Sequence, residues 1–87
     1  MGIKDTKVNQ TIYKNLNEFI VDLELGKDIF FLYDGLEYEI SFKEDTWTLS
    51  MIEMGIQMDF QTKDELLNFE MNDSKLRELW QDFKEPE

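Results

Sequence analysis

Residues 29–42 constrain this chain more than any other stretch: Ile-Phe-Phe-Leu-Tyr, then Asp34-Gly35, then Leu-Glu-Tyr-Glu-Ile-Ser-Phe. Asp-Gly accepts the positive φ angles of a two-residue turn, and the aromatic and β-branched side chains on either side suit a pleated surface, so the stretch reads as a β-hairpin. Closing the turn at Asp34-Gly35 sets Tyr33 opposite Leu36, Phe31 opposite Tyr38 and Ile29 opposite Ile40. Opposed residues of an antiparallel pair share a face. One face is therefore wholly apolar and must be covered. The other sets Phe30 and Leu32 against Glu37 and Glu39, an uneasy mixture for a surface that meets only water.

The alternation continues past the hairpin. Lys43-Glu44-Asp45-Thr46 reads as a four-residue polar loop, after which residues 46–52 alternate with Trp47, Leu49 and Met51 in phase. Pairing Phe42 with Trp47 brings Leu49 opposite Ile40 and Met51 opposite Tyr38, a register that keeps the large side chains on one side. A turn at Met54-Gly55 adds a fourth strand, with Met58 opposite Met51 and Phe60 opposite Leu49.

Helical periodicity flanks these strands. Ile12, Leu16, Phe19, Ile20 and Leu23 form one stripe, and Asn15 with Glu18 can cap a helix over residues 15–25, Thr11 a longer one. Gly26 suits the position past its end, and Lys27 the negative helix terminus. Thr62 and Glu65 make a capping box for a short helix carrying Leu66, Leu67 and Phe69. Asn72-Asp73-Ser74 offer further N-caps, ahead of a last stripe of Leu76, Leu79, Trp80 and Phe83 that Pro86 ends. The predicted architecture is α+β: an N-terminal helix, an antiparallel three- to four-stranded β-meander, and two short C-terminal helices packed on one face of the sheet. Tyr38, Ile40, Trp47 and Leu49 are expected beneath Phe19, Leu23 and Trp80. Residues 1–10 read as a loosely ordered arm and residues 11–87 as a single domain.

A chain of 87 residues is near the small end of what a hydrophobic core alone can stabilise. Its two Trp, three Tyr and seven Phe supply that core, each burying roughly 150–250 Å². Such content separates the chain from disordered acidic proteins. The absence of Cys excludes disulfides and thiolate metal sites and fits a reducing compartment. With no membrane-length apolar run, and no apolar signal core in residues 1–8, a cytoplasmic location is expected.

Charge is the most unusual feature. The net value is −11; the first fourteen residues hold three Lys against one Asp, so residues 15–87 carry −13. An acidic surface of this kind repels nucleic acid and anionic membranes, and no direct binding to either is expected. Two uses remain: colloidal solubility, or an electrostatic match to a basic protein.

The run from Asp22-Leu23 through Gly26, Ile29, Phe31, Tyr33, Gly35, Tyr38 and Ile40, with Phe60, Glu65-Leu66-Leu67, Leu76 and Trp80 further on, resembles small uncharacterised acidic proteins of Gram-positive bacteria and their phages. The likeness covers most of the chain beyond residue 14 and consists of core and turn positions. It implies no catalytic residue.

The side-chain inventory argues against an enzyme. Without His or Cys the commonest general base and the strongest nucleophile are missing, as are most transition-metal ligands. Ser41, Ser50 and Ser74 lie in no nucleophile elbow, and no phosphate-binding glycine loop occurs. Glu39, Ser50 and Asp59 fall in one row across three strands, which could serve acid/base or Mg²⁺ chemistry, but a single sheet in a small chain offers no deep cleft to raise a carboxylate pKa, and an ordinary solvated sheet face is the better reading. No catalytic residue, cofactor or metal is expected.

The outer sheet face is more informative. Phe30, Leu32 and Ile52 beside Glu37, Glu39 and Asp59 form the candidate partner-binding residues, apolar anchors ringed by steering charge. An N-terminal arm or a second copy could cover them instead, and exposed apolar side chains are also common without any role. Core packing accounts for Met51 and Met58 and leaves Met54 over. Asp64, Glu65, Glu70, Asp73, Glu78, Asp82 and Glu85 could imitate nucleic-acid phosphates, though Lys63, Lys75, Arg77 and Lys84 dilute them. The expected function is a non-enzymatic, stoichiometric inhibitor of a basic protein such as a nuclease or toxin, of immunity, antitoxin or phage anti-defence type. A self-associating interaction domain, as a homodimer, is the alternative; a carboxylate-dependent enzyme is a remote one.

Overall fold

The computed structural model describes residues 12–86, so the arm expected over residues 1–10 lies outside the described residues. Helix α1 (Leu16–Glu24) precedes strands β1 (Ile29–Tyr33), β2 (Leu36–Lys43), β3 (Thr46–Met51) and β4 (Ile56–Phe60). Helix α2 (Lys63–Leu67), strands β5 (Glu70–Met71) and β6 (Ser74–Lys75), helix α3 (Leu76–Leu79) and a 3₁₀ turn (Trp80–Asp82) follow. The four long strands form an antiparallel meander in chain order, and the expected α+β architecture is present.

Local chemistry sets the first half. Asn15 Oδ1 accepts from Glu18 N at 3.0 Å, which caps α1. At the other end Gly26 N donates to Leu23 O and Lys27 N to Asp22 O, the paired bonds of a Schellman motif, with Gly26 at φ 72°. The β1–β2 register is Tyr33 to Leu36, Phe31 to Tyr38 and Ile29 to Ile40, as read from the turn. The β2–β3 register also matches, with Phe42 opposite Trp47. Its turn has two residues rather than four: Lys43 and Thr46 still pair, and Glu44 and Asp45 take φ 52° and 61°.

The β3–β4 register differs from expectation. Met51 faces Ile56, Leu49 faces Met58 and Trp47 faces Phe60. A two-residue turn would force Met54 as well as Gly55 into left-handed backbone. In the observed four-residue loop only Gly55 adopts it, at φ 68°, with its N–H donating to Met51 O at 2.9 Å. The slip is two residues, so each side chain keeps its face and the core survives the change.

The C-terminal third departs further. Asn72-Asp73-Ser74 are not helix caps. Asn72 and Asp73, at φ 53° and 68°, form the tight turn of the β5–β6 hairpin, a conformation that short polar side chains tolerate. Lys75 then stands at the start of α3, its N–H donating to Glu78 Oε1 at 3.0 Å. The Thr62 cap forms, but Glu65 reaches back to the N–H of Gln61 rather than closing a box on Thr62. Helical structure stops at Asp82, before Pro86 could end it. Lys84 instead exchanges two backbone hydrogen bonds with Leu32, at 2.8 and 2.9 Å, covering part of the outer edge of β1.

This path decides the core. Phe19, Leu23, Phe31, Ile40, Leu49, Leu66, Leu76 and Phe83 are fully buried, and Tyr38 nearly so. Phe83 stacks on Phe31 at 3.9 Å between ring centroids and meets Phe19 edge-on at 5.5 Å. Trp80 and Trp47, both expected at the centre, are only half-buried. The tightening from α3 into the 3₁₀ turn carries Trp80 to the periphery and delivers Phe83 inward. Trp47 packs at the sheet end on Phe42, and its indole N–H has no hydrogen-bond partner among the described residues.

Two buried phenols make the fold sensitive to alkali. Burial, then the 2.9 Å hydrogen bond to Asp22 and the negative charge of Asp22 and Glu18, pushes the Tyr13 phenol well above its ordinary value. Tyr38 is raised by burial first, then by Tyr33, Asp34 and Glu53. A phenol whose folded pKa exceeds its unfolded value of about 10 contributes stability that is complete below that pH and is lost as pH rises toward the folded value. Urea midpoints should therefore fall above about pH 10, and Tyr13→Phe should flatten the fall. An unchanged slope in that variant would remove Tyr13 as the cause.

Candidate functional site

Alternation along the four strands sends Phe30 and Leu32, Glu37 and Glu39, Thr48 and Ser50, and Gln57 and Asp59 to the face away from α1. Phe30 sits opposite Glu39 and is 42% exposed. Leu32 sits opposite Glu37, is half-buried, and holds its backbone against Lys84. Ile52 is 44% exposed but belongs to the loop after β3. Its N–H still reaches Glu37 O at 3.0 Å, carrying the pairing one step beyond the strand. Glu53, next in the loop, folds back so that its Oε1 accepts from Glu37 N at 3.0 Å. Phe30, Leu32, Glu37, Glu39 and Ile52 are thereby grouped by the β1–β2 pairing and the 52–55 loop.

Asp59 is not in that group. The two-residue slip places Gln57 opposite Ser50 and moves Asp59 opposite Thr48, whose Oγ1 donates to Asp59 Oδ1 at 2.8 Å. The expected row of Glu39, Ser50 and Asp59 becomes Glu39, Ser50 and Gln57. Two strand spacings and a two-residue offset part the backbones of Glu39 and Asp59 by roughly 12 Å. Among the described residues no cluster of three or more carboxylates is placed to hold a metal ion.

A second concave surface lies at the same end of the sheet. Leu36, Tyr38, Met51 and Met54 form one side of a groove, and Phe69 and Met71 the other. Sequence reasoning missed it because the groove depends on the β5–β6 hairpin. The available signal was Asn72-Asp73 set between Glu-Met and Ser-Lys, a turn pair between short extended dipeptides.

Among the described residues no helix is long and apolar enough to cross a membrane. No protein-family model, curated protein or solved structure matches the chain. Its function is therefore argued from surface chemistry alone.

Proposed function

We propose that this chain is a non-enzymatic, acidic protein-binding module of the cytoplasm that engages a basic protein stoichiometrically, as an inhibitor of a nuclease or toxin would. The observation that carries the reading is the grouping of exposed Phe30 and Ile52 with Glu37, Glu39 and Glu53 on a chain of net charge −11. Apolar side chains supply contact area once water leaves, while carboxylates steer a cationic surface toward them and reject anionic ones. Self-association through this face would set −11 against −11, which the same carboxylates oppose.

The test begins with affinity capture from the source cell and continues with the kinetics of the purified pair. A basic partner binding in a 1:1 ratio is expected. Charge reversal at Glu37 and Glu39 together should slow association by roughly tenfold, within the range of steering effects. The same reversal at Asp64 and Asp82, exposed on α2 and the 3₁₀ turn, should slow it less. Equal effects at the two sites would remove the sheet face as the landing surface.

A further inference from the structure

The groove beside the sheet has a definite construction. Its cavity of about 350 Å³ lies at the lower end of the ~300–1,000 Å³ typical of ligand sites. The Asp34-Gly35 turn and the 52–55 loop bring Leu36, Tyr38, Met51 and Met54 to one wall, and Phe69 and Met71 stand opposite. Asn72 Nδ2 donates to the Tyr33 hydroxyl at 3.2 Å, tying the β5–β6 hairpin to β1 and fixing the spacing of the walls. Three methionines meet here. Their unbranched thioethers adapt to differently shaped apolar groups, a property found in surfaces that receive partner side chains. Met54 is 59% exposed, and neither the core nor the outer sheet face accounts for it. Among the described residues, the charged ones lining the groove are Asp34 and Glu70, with no Lys or Arg.

We infer that this groove receives the apolar anchor of a basic partner segment, one long aliphatic or aromatic side chain seated between Met51, Met54 and Met71, with flanking Lys or Arg meeting Asp34 and Glu70. The inference rests on the reading of a basic partner and adds a contact on a surface other than the outer sheet face. Charge selects this occupant: a second copy of the chain would bring further net negative charge to a groove lined by Asp34 and Glu70.

Two synthetic peptides of equal length and lysine content serve as probes. One carries a single central tryptophan as its apolar anchor; the other has serine at that position. Fluorescence anisotropy should show the apolar peptide binding roughly 10- to 100-fold tighter, the effect of burying one large side chain. In protein with ¹³C-methyl methionine, the resonances of Met51, Met54 and Met71 should move while that of Met58 stays. Met54→Lys, at a position 59% exposed, should leave melting unchanged and remove most of the difference between the peptides. Equal affinities with unmoved methyls would overturn the groove, and if that shared binding still weakens with salt, the acidic-surface reading stands without it. Binding by neither peptide also overturns the groove. Methyl shifts with an affinity indifferent to salt would overturn the charged half of the inference together with the reading it rests on.

Discussion

Replacing Phe83 by alanine is expected to cost about 3–5 kcal/mol, the range for a buried aromatic truncated in a packed core, and to leave little of a small domain's stability. Phe83 is fully buried and ties Ile12 and the segment at Lys84 to the sheet. Its ring stacks on Phe31, meets Phe19 edge-on and approaches Tyr33 at 6.4 Å. Its carbonyl accepts from Ile12 N, and the next residue bridges to Leu32. Truncation thus opens a cavity beneath three elements and loosens the segment that covers the β1 edge. Trp80→Ala, at a half-buried site, should cost less although it removes the larger side chain. Urea unfolding of both variants checks the order. A Trp80 variant more damaged than the Phe83 variant would mean that the C-terminal segment follows a different path.

The second large effect is on the rate of meeting a basic partner. With −13 over residues 15–87, long-range attraction should raise the association rate well above that of neutral surfaces. The Debye length shortens from about 10 Å at 0.1 M salt to about 3 Å at 1 M. Over that range association should slow by roughly tenfold or more. Dissociation depends on close contacts, proposed to include Phe30, and should change far less. Stopped-flow mixing with the captured partner separates the two rates. An association rate that ignores salt would leave the negative charge with solubility alone, and the inhibitor reading would lose its main support.

Much of the fold was legible because short segments specify it. Asp34-Gly35 admits one tight turn, and the apolar faces of β1, β2 and β3 leave a single register that buries Phe31, Tyr38, Ile40 and Leu49 together. Asn15, Gly26 and Thr62 act within one helical turn, so their roles needed no distant contact. Of the candidate site, Phe30, Leu32, Glu37 and Glu39 were readable for the same reason, since their positions follow from the register of one hairpin.

Longer loops and the C-terminal third were not legible by that route. Side-chain alternation repeats every two residues, so it cannot tell a two-residue turn from the four-residue loop at 52–55. That ambiguity leaves the core unchanged yet carries Asp59 away from Glu39. Asn72 and Asp73 suit a helix cap and a left-handed turn equally well, and the choice fell to packing: the hairpin lets Leu76 enter the core and brings Met71 toward the sheet. The stripe of Leu76, Leu79, Trp80 and Phe83 has helical spacing, but the helix ends after four residues, so Phe83 rather than Trp80 fills the centre. The sequence by itself determined the sheet, its apolar face and the acidic character of its surroundings, because these follow from alternation, turn chemistry and charge within short windows. Only the tertiary structure decided the fourth strand's register, the β5–β6 hairpin and the methionine groove. At the two turns local signals leave more than one conformation open, and the choice falls to the backbone that Gly55 but not Met54 readily adopts and to the packing of Leu76, while the groove joins residues 33–54 to residues 69–72, far apart in the chain.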